Sequence, residues 1–366
     1  MKKIVSLLIG EIKYDGRVQK EIQSLIKNKY DVSLIVHKFC NDNINNYNYP
    51  IIAISTNDNT PTMPGILKKF RFCFDAYKIL KNINPDIVHC NDLTTLYAGV
   101  MYKNFNKKCK IIYDAHELYP EMFCGFRKFL WNCIEKLNIK KVDEIISPEI
   151  NRALYMKNKY KLNKDIHVIE NLPNKFKNIE FNHIEKKYPE TIGKIKILYL
   201  GLLSKDRGIL EMINSMKYVS DENILVLVGN FVNDSFKSEV INLIKNERLE
   251  NKVKILGRVP NNQVINYVQS SDIGLIFYEN INLNNYYCAS NKLYEFLVSK
   301  KFIITNDYPG LINTVEKNNM GKCIKSIDCK LIADAIKDYK VNILMSNKTS
   351  DFTWESQENK FIKIYE

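Results

Sequence analysis

The sequence predicts an α/β protein made of two domains, each an open parallel sheet with crossover helices. Three observations lead to this fold class. Short β-branched runs alternate with longer amphipathic stretches, the alternation begins again near residue 195, and a segment containing Pro and Asn (residues 167–176) lies between the two series. A chain of 366 residues with 45% hydrophobic and 26% charged residues can fill two cores of this kind.

In the first series, each predicted strand is a short and mostly apolar run, as a parallel strand covered on both faces requires. The strand candidates are Ile4–Ile9, Asp31–Val36, Asp86–His89, Lys110–Tyr113 and Glu144–Ile146. Apolar residues at helical spacing predict the helices between them, which are Gly16–Asn28, Ile66–Asn82, Leu93–Lys103 and Arg127–Lys140.

The second series repeats this pattern, beginning with the strand Ile195–Leu200 and a helix over Gly208–Met216. Its further strand candidates are Leu225–Gly229, Val253–Leu256, Ile273–Ile276 and Phe302–Thr305. The segment FTWESQENKFIKIYE predicts a final helix that begins near Asp351, too late to belong to the second sheet. We therefore expect an N-terminal domain of residues 1–170 plus 351–366 and a C-terminal domain of residues 171–350.

Composition restricts the possible partners. The formal net charge of +13 fits nucleic acid, anionic lipid or a phosphorylated substrate, but no run of five basic residues and no nucleic-acid motif occurs, so we expect no nucleic acid. Nine Cys without a CxxC pair indicate reduced thiols in a cytoplasmic protein. The first apolar run ends at Gly10, which favours a buried strand over a signal peptide, and no apolar stretch approaches the ~20 residues of a membrane span.

Missing motifs exclude several enzyme classes. The segment GEIKYDG after the first strand does not match GxGxxG, and neither a GxxxxGK[ST] loop nor a GxSxG elbow is present. No two Asp are spaced as DxD, so a bound diphosphate would be held by cations and helix ends. We therefore expect no metal and no cofactor.

In open parallel sheets, ligands bind at the carboxyl ends of the strands. In the first half these ends carry the segments GEIKYDGRV, HCND and YDAHELYPE, and in the second half they carry YLGLLSKDRG, LGRVP and SNKLYEFLVSKKFIITNDYPG. The last segment predicts a helix whose first N–H groups, together with Lys292, can bind phosphate. Glu295 faces the same side as Lys292 and could accept both hydroxyls of a ribose, although a surface i,i+3 Lys–Glu pair is the alternative.

Five segments in this order resemble GT-B glycosyltransferases, close to the retaining family 4 of bacterial surface-polysaccharide and lipopolysaccharide enzymes. The resemblance spans nearly the whole chain and is carried by YDGRVQKEIQSLIKNKYDVSLI, DIVHCND, YDAHELYPE, YLGLLSKDRGILEMINSM and SNKLYEFLVSKKFIITNDYPG. It implies two Rossmann-like domains that face each other across a cleft, with the last helix crossing back to the N-terminal domain.

The resemblance also implies roles for single residues. Arg207 and Lys292 would contact the donor diphosphate and His116 would lie near the transferred sugar, so these three are the predicted catalytic residues. Glu295 would bind the ribose as the second glutamate of an E-x7-E motif. The other predicted donor-binding residues are Asn291, Leu293, Tyr287, and Gly257, Arg258 and Val259, whose backbone would bind the base. The predicted acceptor or closing-loop residues are Asp15, Gly16, Arg17, Asp92 and Glu117.

Two positions depart from the family pattern. Tyr287 stands where the first glutamate of E-x7-E is expected, and Leu202 stands where an arginine is common. Polar residues nearby could replace the missing glutamate; these are Asn284, Asn285 and Tyr286. Arg207 would then have to balance more of the negative charge of the donor diphosphate.

The implied function is metal-independent, retaining transfer of a sugar from a nucleotide-diphosphate donor to a glycan or lipid-linked acceptor. Residues 65–82 and 125–141 interleave basic and aromatic residues, which favours peripheral attachment to the anionic inner face of the cytoplasmic membrane, with solvated basic faces as the alternative. Two rival functions remain open, which are a non-hydrolysing sugar-nucleotide epimerase of the same fold and a degenerate, non-catalytic partner subunit.

Overall fold

The computed structural model describes residues 1–37, 47–54, 65–176, 180–260, 263–288, 290–339 and 352–366. These residues form two compact units, Met1–Glu170 with Gln357–Glu366 and Asn171–Ser356. Each unit contains one sheet, and all strands that pair within it are parallel, which confirms the predicted fold class. The predicted start of the last helix near Asp351 lies outside the described residues.

The first unit has a seven-stranded sheet in the order β3-β2-β1-β4-β5-β6-β7. Its strands are β1 (Lys3–Leu8), β2 (Asp31–His37), β3 (Ile51–Ile54), β4 (Ile87–Asn91), β5 (Lys110–Asp114), β6 (Glu144–Ser147) and β7 (His167–Val168). Its helices are α1 (Gly16–Lys27), α2 (Gly65–Ile83), α3 (Leu93–Phe105), α4 (Gly125–Asn138) and α5 (Ile150–Tyr160).

The second unit has a six-stranded sheet in the order β10-β9-β8-β11-β12-β13. Its strands are β8 (Ile195–Leu200), β9 (Asn223–Val228), β10 (Val253–Gly257), β11 (Ile273–Ile276), β12 (Phe302–Asn306) and β13 (Gly321–Ile324). Its helices are α6 (His183–Lys187), α7 (Ile209–Ser215), α8 (Asp234–Asn246), α9 (Val264–Gln269), α10 (Leu283–Tyr286), α11 (Asn291–Val298), α12 (Pro309–Val315) and α13 (Cys329–Lys337). A last helix, α14 (Trp354–Ile362), continues into the residues that complete the first unit.

The strands that the sequence did not predict are all at the edges of the two sheets. These are β3, β7 and β13. Two of them, β3 and β13, have one buried residue each, whereas the central strands β4 and β9 are buried throughout. An edge strand is covered less and therefore needs a weaker apolar signal in its sequence.

Side chains of successive strand residues enter two different cores of the second unit. In β8, Ile197 and Tyr199 belong to one cluster of buried residues, whereas Leu198 and Leu200 belong to the other. This alternation is the expected consequence of the strand period of two, with apolar helices on both faces.

Two glycines at the carboxyl ends of β8 and β9 bring the following loops into contact. Gly229 has φ +151°, and a Cβ at this position would lie 1.7 Å from the carbonyl oxygen of Gly201. Any side chain at residue 229 would therefore push the two loops apart. The close backbone approach shapes the sheet edge at which ligands bind in this class of fold.

Among the described residues, none of the helices has both the length and the apolar character needed to cross a bilayer.

Candidate active site

Three neighbouring strands of the first unit end in polar segments at one edge of the sheet. β1 pairs with β4, and β4 pairs with β5. The chain passes from β1 into α1 at Asp15, leaves β4 at Asp92, and leaves β5 at Asp114, two residues before His116. Because parallel strands end at the same edge, these side chains meet although they are far apart in sequence.

Arg17, in the first turn of α1, is buried and binds the carboxylate of Asp114. Its Nε and Nη2 atoms each donate a hydrogen bond of 3.0 Å to one carboxylate oxygen, and its Nη1 donates to the carbonyl of Ile169 at 2.8 Å. Nε also lies 3.0 Å from Oε1 of Glu21. Arg17 is only 3% exposed, so its assignment to a closing loop or acceptor site is wrong. Its position at the start of a buried helix makes it a support for Asp114.

The pKa values of the two carboxyl groups beside Arg17 are shifted in opposite directions. Burial raises the pKa of Asp114, but Arg17 and His116 outweigh burial and hold it well below its usual range. Burial raises the pKa of Glu21 well above its usual range, and Arg17 offsets this only in part. Asp114 is therefore the stronger acid of the two, and it is the carboxylate that the guanidinium of Arg17 binds through two hydrogen bonds.

The same cluster offers a set of potential metal ligands. Glu21, His89 and Asp114 each have one ligand atom within 4.8 Å of those of the other two. However, the guanidinium of Arg17 donates to Asp114 and lies against Glu21. An arginine side chain stays charged in a protein, so it supplies the cation that these acids need. The residues therefore do not fit a divalent metal ion.

His116 lies between two acidic side chains and is 15% exposed. Its Nε2 is 3.2 Å from Oδ2 of Asp114 and its Nδ1 is 3.6 Å from Oδ2 of Asp92. Burial alone would lower the pKa of His116, but Asp114 and Asp92 raise it to about 10. The ring is therefore an imidazolium at neutral pH, so it can donate hydrogen bonds and stabilise negative charge but cannot act as a base.

The backbone of Asp92 is in a conformation that L residues rarely adopt. Its φ is 62° and its ψ is 165°, and its N–H donates to the carbonyl of Asp114 at 2.8 Å. Such a conformation costs about 1–3 kcal/mol in a residue with a Cβ. Burial raises the pKa of the Asp92 carboxyl to about 6, against the opposing effect of His116. The strained backbone of Asp92 therefore carries a carboxyl group with a raised pKa, next to the imidazolium of His116.

The other predicted residues of the first unit have structural contacts as well. The carboxylate of Asp15 caps α1 by accepting from the N–H of Val18 at 3.0 Å, next to the exposed Gly16. Oε2 of Glu117 lies 3.2 Å from Nη2 of Arg152. Gly16 and Glu117 remain accessible at the sheet edge.

Four residues of the cluster were not singled out from the sequence. These are Glu21, His89, Asp114, and Tyr365, whose hydroxyl lies 2.6 Å from Nδ1 of His89. Glu21 is one turn after Arg17 on α1, a helix that also buries Val18 and Ile22. Two charged residues on a buried helical face, at a spacing of four, are the signal that could have identified this cluster.

In the second unit, the start of α11 presents Lys292 and Glu295 together. The Nζ atom of Lys292 lies 3.0 Å from both carboxylate oxygens of Glu295, with the side chains 31% and 19% exposed. Asn291 is exposed at the first position of the helix. The side chain of Leu293 is buried in the core and its N–H donates to the carbonyl of Ser290 at 3.2 Å, so its role in donor binding stays a prediction.

Arg207 lies in a turn that follows β8. Its guanidinium carbon is 4.0 Å from the centre of the Tyr278 ring, and its Nε is 3.4 Å from Oδ2 of Asp206. The aromatic ring supports a cationic side chain that remains partly exposed at the carboxyl end of the sheet.

The predicted base-binding segment follows β10. Gly257 has φ +78° and accepts a hydrogen bond of 2.9 Å from the N–H of Gly229. Arg258 is exposed, and Val259 packs against the core.

Tyr287 is half-buried, and its ring centre lies 5.1 Å from that of Tyr286. Asn284 and Asn285 are both buried in α10, so their replacement of the missing glutamate stays a prediction. The amide nitrogen of Asn285 donates to the carbonyl of Glu279 at 3.0 Å, which fixes it inside the loop. The tyrosines are thus the accessible groups at this position.

Two family models match the chain in tandem. Residues 18–172 match the model described as "Glycosyltransferase Family 4", and residues 180–348 match the model described as "Glycosyl transferases group 1". Together the two matches cover most of the chain. No curated protein sequence matched it.

Solved structures with the same fold cover the whole chain at low sequence identity. A sucrose-phosphate synthase from Thermosynechococcus elongatus is 15% identical, with a TM-score of 0.81 and 98% of its own chain covered. Anabaena HepE in complex with UDP is 14% identical, with a TM-score of 0.78 and 99% covered. The lipopolysaccharide outer core galactosyltransferase WaaB in its apo form is 14% identical, with a TM-score of 0.69 and 100% covered.

We predict that stability falls as pH rises because His116 loses its proton. The folded protein retains this proton up to a pKa of about 10, whereas an unfolded histidine releases it near its ordinary value of 6.5. The contribution is thus complete below pH 6.5 and is lost towards pH 10, with a slope of about 1.4 kcal/mol per pH unit. Urea unfolding across this range should show a shallower slope for His116→Gln than for wild type. His167→Gln, which removes a histidine paired with Glu144, is the control; equal slopes for both variants would contradict the assignment.

We also predict that Asp92→Gly is more stable than Asp92→Ala by about 1 kcal/mol, because only glycine adopts this backbone conformation without strain. Both variants lose the same carboxylate, so the difference in their free energies of unfolding in urea isolates the backbone. An alanine variant as stable as the glycine variant would rule out stored strain at residue 92.

Proposed function

Because the chain belongs to the GT-B glycosyltransferases of the family 4 type, we propose that it transfers a sugar from a nucleotide-diphosphate donor, without a metal and with retention of configuration. The acceptor would be a glycan or lipid-linked sugar used in building cell-surface polysaccharide. The observation that carries this proposal is the Lys292–Glu295 pair at the start of α11. Anabaena HepE, a structural neighbour, is described in complex with UDP and with UDP-glucose.

The Lys292–Glu295 pair suits a nucleoside diphosphate because each partner keeps capacity for a ligand. A carboxylate has about four acceptor sites, so Glu295 can bind Lys292 and still accept both ribose hydroxyls. An ammonium has three donors, so Lys292 can turn towards a phosphate at the helix start. The alternative of an ordinary surface pair predicts no dependence of nucleotide binding on Glu295.

Cationic side chains at this site would also help the diphosphate to leave. Arg207 and Lys292 would stabilise the charge that develops on the leaving group, and the leaving diphosphate would itself take the proton of the acceptor hydroxyl. His116, as an imidazolium, would donate a hydrogen bond to the transferred sugar. Asp114 is fully buried and already binds Arg17, which argues against it as a nucleophile.

The rival functions differ in what they release. An epimerase would convert a free nucleotide sugar with no acceptor present, whereas a transferase would release nucleotide diphosphate in proportion to acceptor glycosylated. A non-catalytic subunit would do neither. The matches to two glycosyltransferase models favour the transferase.

An anionic membrane surface is the partner that we propose for α4. Phe126 and Phe129 near its start are 75% and 63% exposed, and Arg127 lies over the ring of Phe123 at 4.6 Å. The acidic residue of this helix, Glu135, is buried, so its exposed charges are basic. Exposed aromatic rings beside basic side chains match the interface of an anionic bilayer. The enzyme would thus work in the cytoplasm at the inner face of the membrane, close to a lipid-linked acceptor.

We predict that one nucleotide among UDP, GDP, ADP and CMP raises the melting temperature of the wild-type protein. A ligand at 100 times its dissociation constant adds about 2.7 kcal/mol of stability. Glu295→Gln should lose this shift, because the amide cannot accept both ribose hydroxyls while it neighbours Lys292. The matched control is Asp334→Asn, which breaks another i,i+3 pair, with Lys337 on α13. Loss of the shift in both variants, or no shift with any nucleotide, would refute the proposed donor site.

We predict that the double variant Phe126→Ser, Phe129→Ser binds vesicles containing anionic lipid at least about tenfold more weakly than wild type, since two exposed rings no longer insert. Sedimentation with and without anionic lipid measures this binding. Phe181→Ser, which removes an exposed ring from the second unit, should bind as wild type does. If wild type does not sediment with anionic vesicles at low salt, the membrane proposal fails.

A further inference from the structure

The buried charge cluster of the first unit is closed by a residue from the far end of the sequence. Tyr365 is fully buried, and its hydroxyl lies 2.6 Å from Nδ1 of His89 on β4. The two rings are stacked, with centroids 6.0 Å apart and planes 4° apart. Lys110 and Lys2 hold this segment by donating to the carbonyls of Ile364 and Tyr365 at 2.6 and 3.1 Å. The backbone contacts and the ring stacking together fix the position of the Tyr365 hydroxyl.

The hydrogen bond between Tyr365 and His89 and the acidic groups on the other side of the ring bear on which nitrogen of His89 carries the ring proton. Burial raises the pKa of Tyr365 well above its usual range, so the hydroxyl keeps its proton. Nε2 of His89 faces Oε2 of Glu21 at 3.5 Å and Oδ2 of Asp114 at 3.7 Å. Because Asp114 has a strongly lowered pKa, a nitrogen that faces its carboxylate is best used as a donor, so we infer that the proton lies on Nε2 and that Nδ1 accepts from Tyr365.

Asp114 connects this arrangement to His116. Its Oδ2 atom lies 3.2 Å from Nε2 of His116, on the same carboxylate that Arg17 and His89 approach. A change in the tautomer or orientation of His89 therefore alters the electrostatic environment of Asp114 and, through it, that of His116.

We propose that Tyr365 is a positioning residue for His116: it holds His89 as an Nε2–H donor towards Asp114, the carboxylate that keeps the His116 imidazolium in place. Its relevance to sugar transfer rests on the role proposed for His116. The charged or titratable groups that act on His116 or its partners are Asp114, Asp92, Arg17, Glu21, Glu117 and Asp15.

The test is the titration of His116 in Tyr365→Phe, followed by NMR of labelled histidine side chains. The phenylalanine ring preserves the stacking on His89 and removes only the donor to Nδ1. Nδ1 can then carry the ring proton instead of Nε2, so that Asp114 loses the N–H that faces it and becomes a stronger acceptor for His116. We expect the proton affinity of His116 to rise by about tenfold, one pKa unit. The His116 signal is identified by its loss in His116→Gln.

Tyr30→Phe is the matched control, because Tyr30 also packs on Tyr365, with the ring centroids 6.2 Å apart. This variant removes a tyrosine hydroxyl from a ring that packs on Tyr365, and it should leave the titration of His116 as in wild type. An unchanged titration in folded Tyr365→Phe, or an equal shift in both variants, overturns the proposal.

A second measurement needs no variant of Tyr365. The nitrogen chemical shifts of His89 in the wild-type protein distinguish the two tautomers directly. An Nε2–H ring supports the proposal, whereas an Nδ1–H ring overturns it even if Tyr365→Phe does not fold. Neither experiment requires a nucleotide, so failure here leaves the thermal-shift result intact, and failure of nucleotide binding leaves the tautomer result intact.

Discussion

The bidentate ion pair between Arg17 and Asp114 is the interaction on which the first unit depends. It joins the start of α1 to the end of β5, and a third hydrogen bond from the same guanidinium reaches the carbonyl of Ile169 after β7. Three elements that are separated along the sequence are thus fixed to one side chain. Removing one partner of such a buried pair typically costs about 3–5 kcal/mol, because the other charge is left without compensation.

Around this pair, the charges of the cluster balance one another. Arg17 and the imidazolium of His116 face the carboxyl groups of Asp114 and Asp92, while burial raises the pKa of Glu21. The second unit works differently, since the Lys292–Glu295 pair and Arg207 are partly exposed and can exchange partners. One site is preorganised by burial, and the other remains adaptable because water still reaches its charges.

The sequence predicted the central strands and the polar segments that follow them, because parallel strands covered on both faces require continuous apolar runs. It also placed His116 and Asp92 at one sheet edge, where the structure brings them together. The prediction failed for Arg17, because a position next to a loop motif does not show whether a side chain is buried. The sequence also did not show that the amide of Asn285 donates to the carbonyl of Glu279. Tyr365 could not be predicted, since no local pattern shows that a residue this distant packs on His89.

The closing of the cluster by Tyr365 has a consequence for biosynthesis. Residues 1–170 leave the ribosome first, but the segment Gln357–Glu366, which belongs to the same unit, follows only after all of Asn171–Ser356 has been made. At 5–20 residues per second, this delay is roughly 10–40 s. During that interval His89 and its acidic neighbours lack the aromatic residue that covers them. The polar cluster of the N-terminal unit can therefore be completed only after Gln357–Glu366 has been translated.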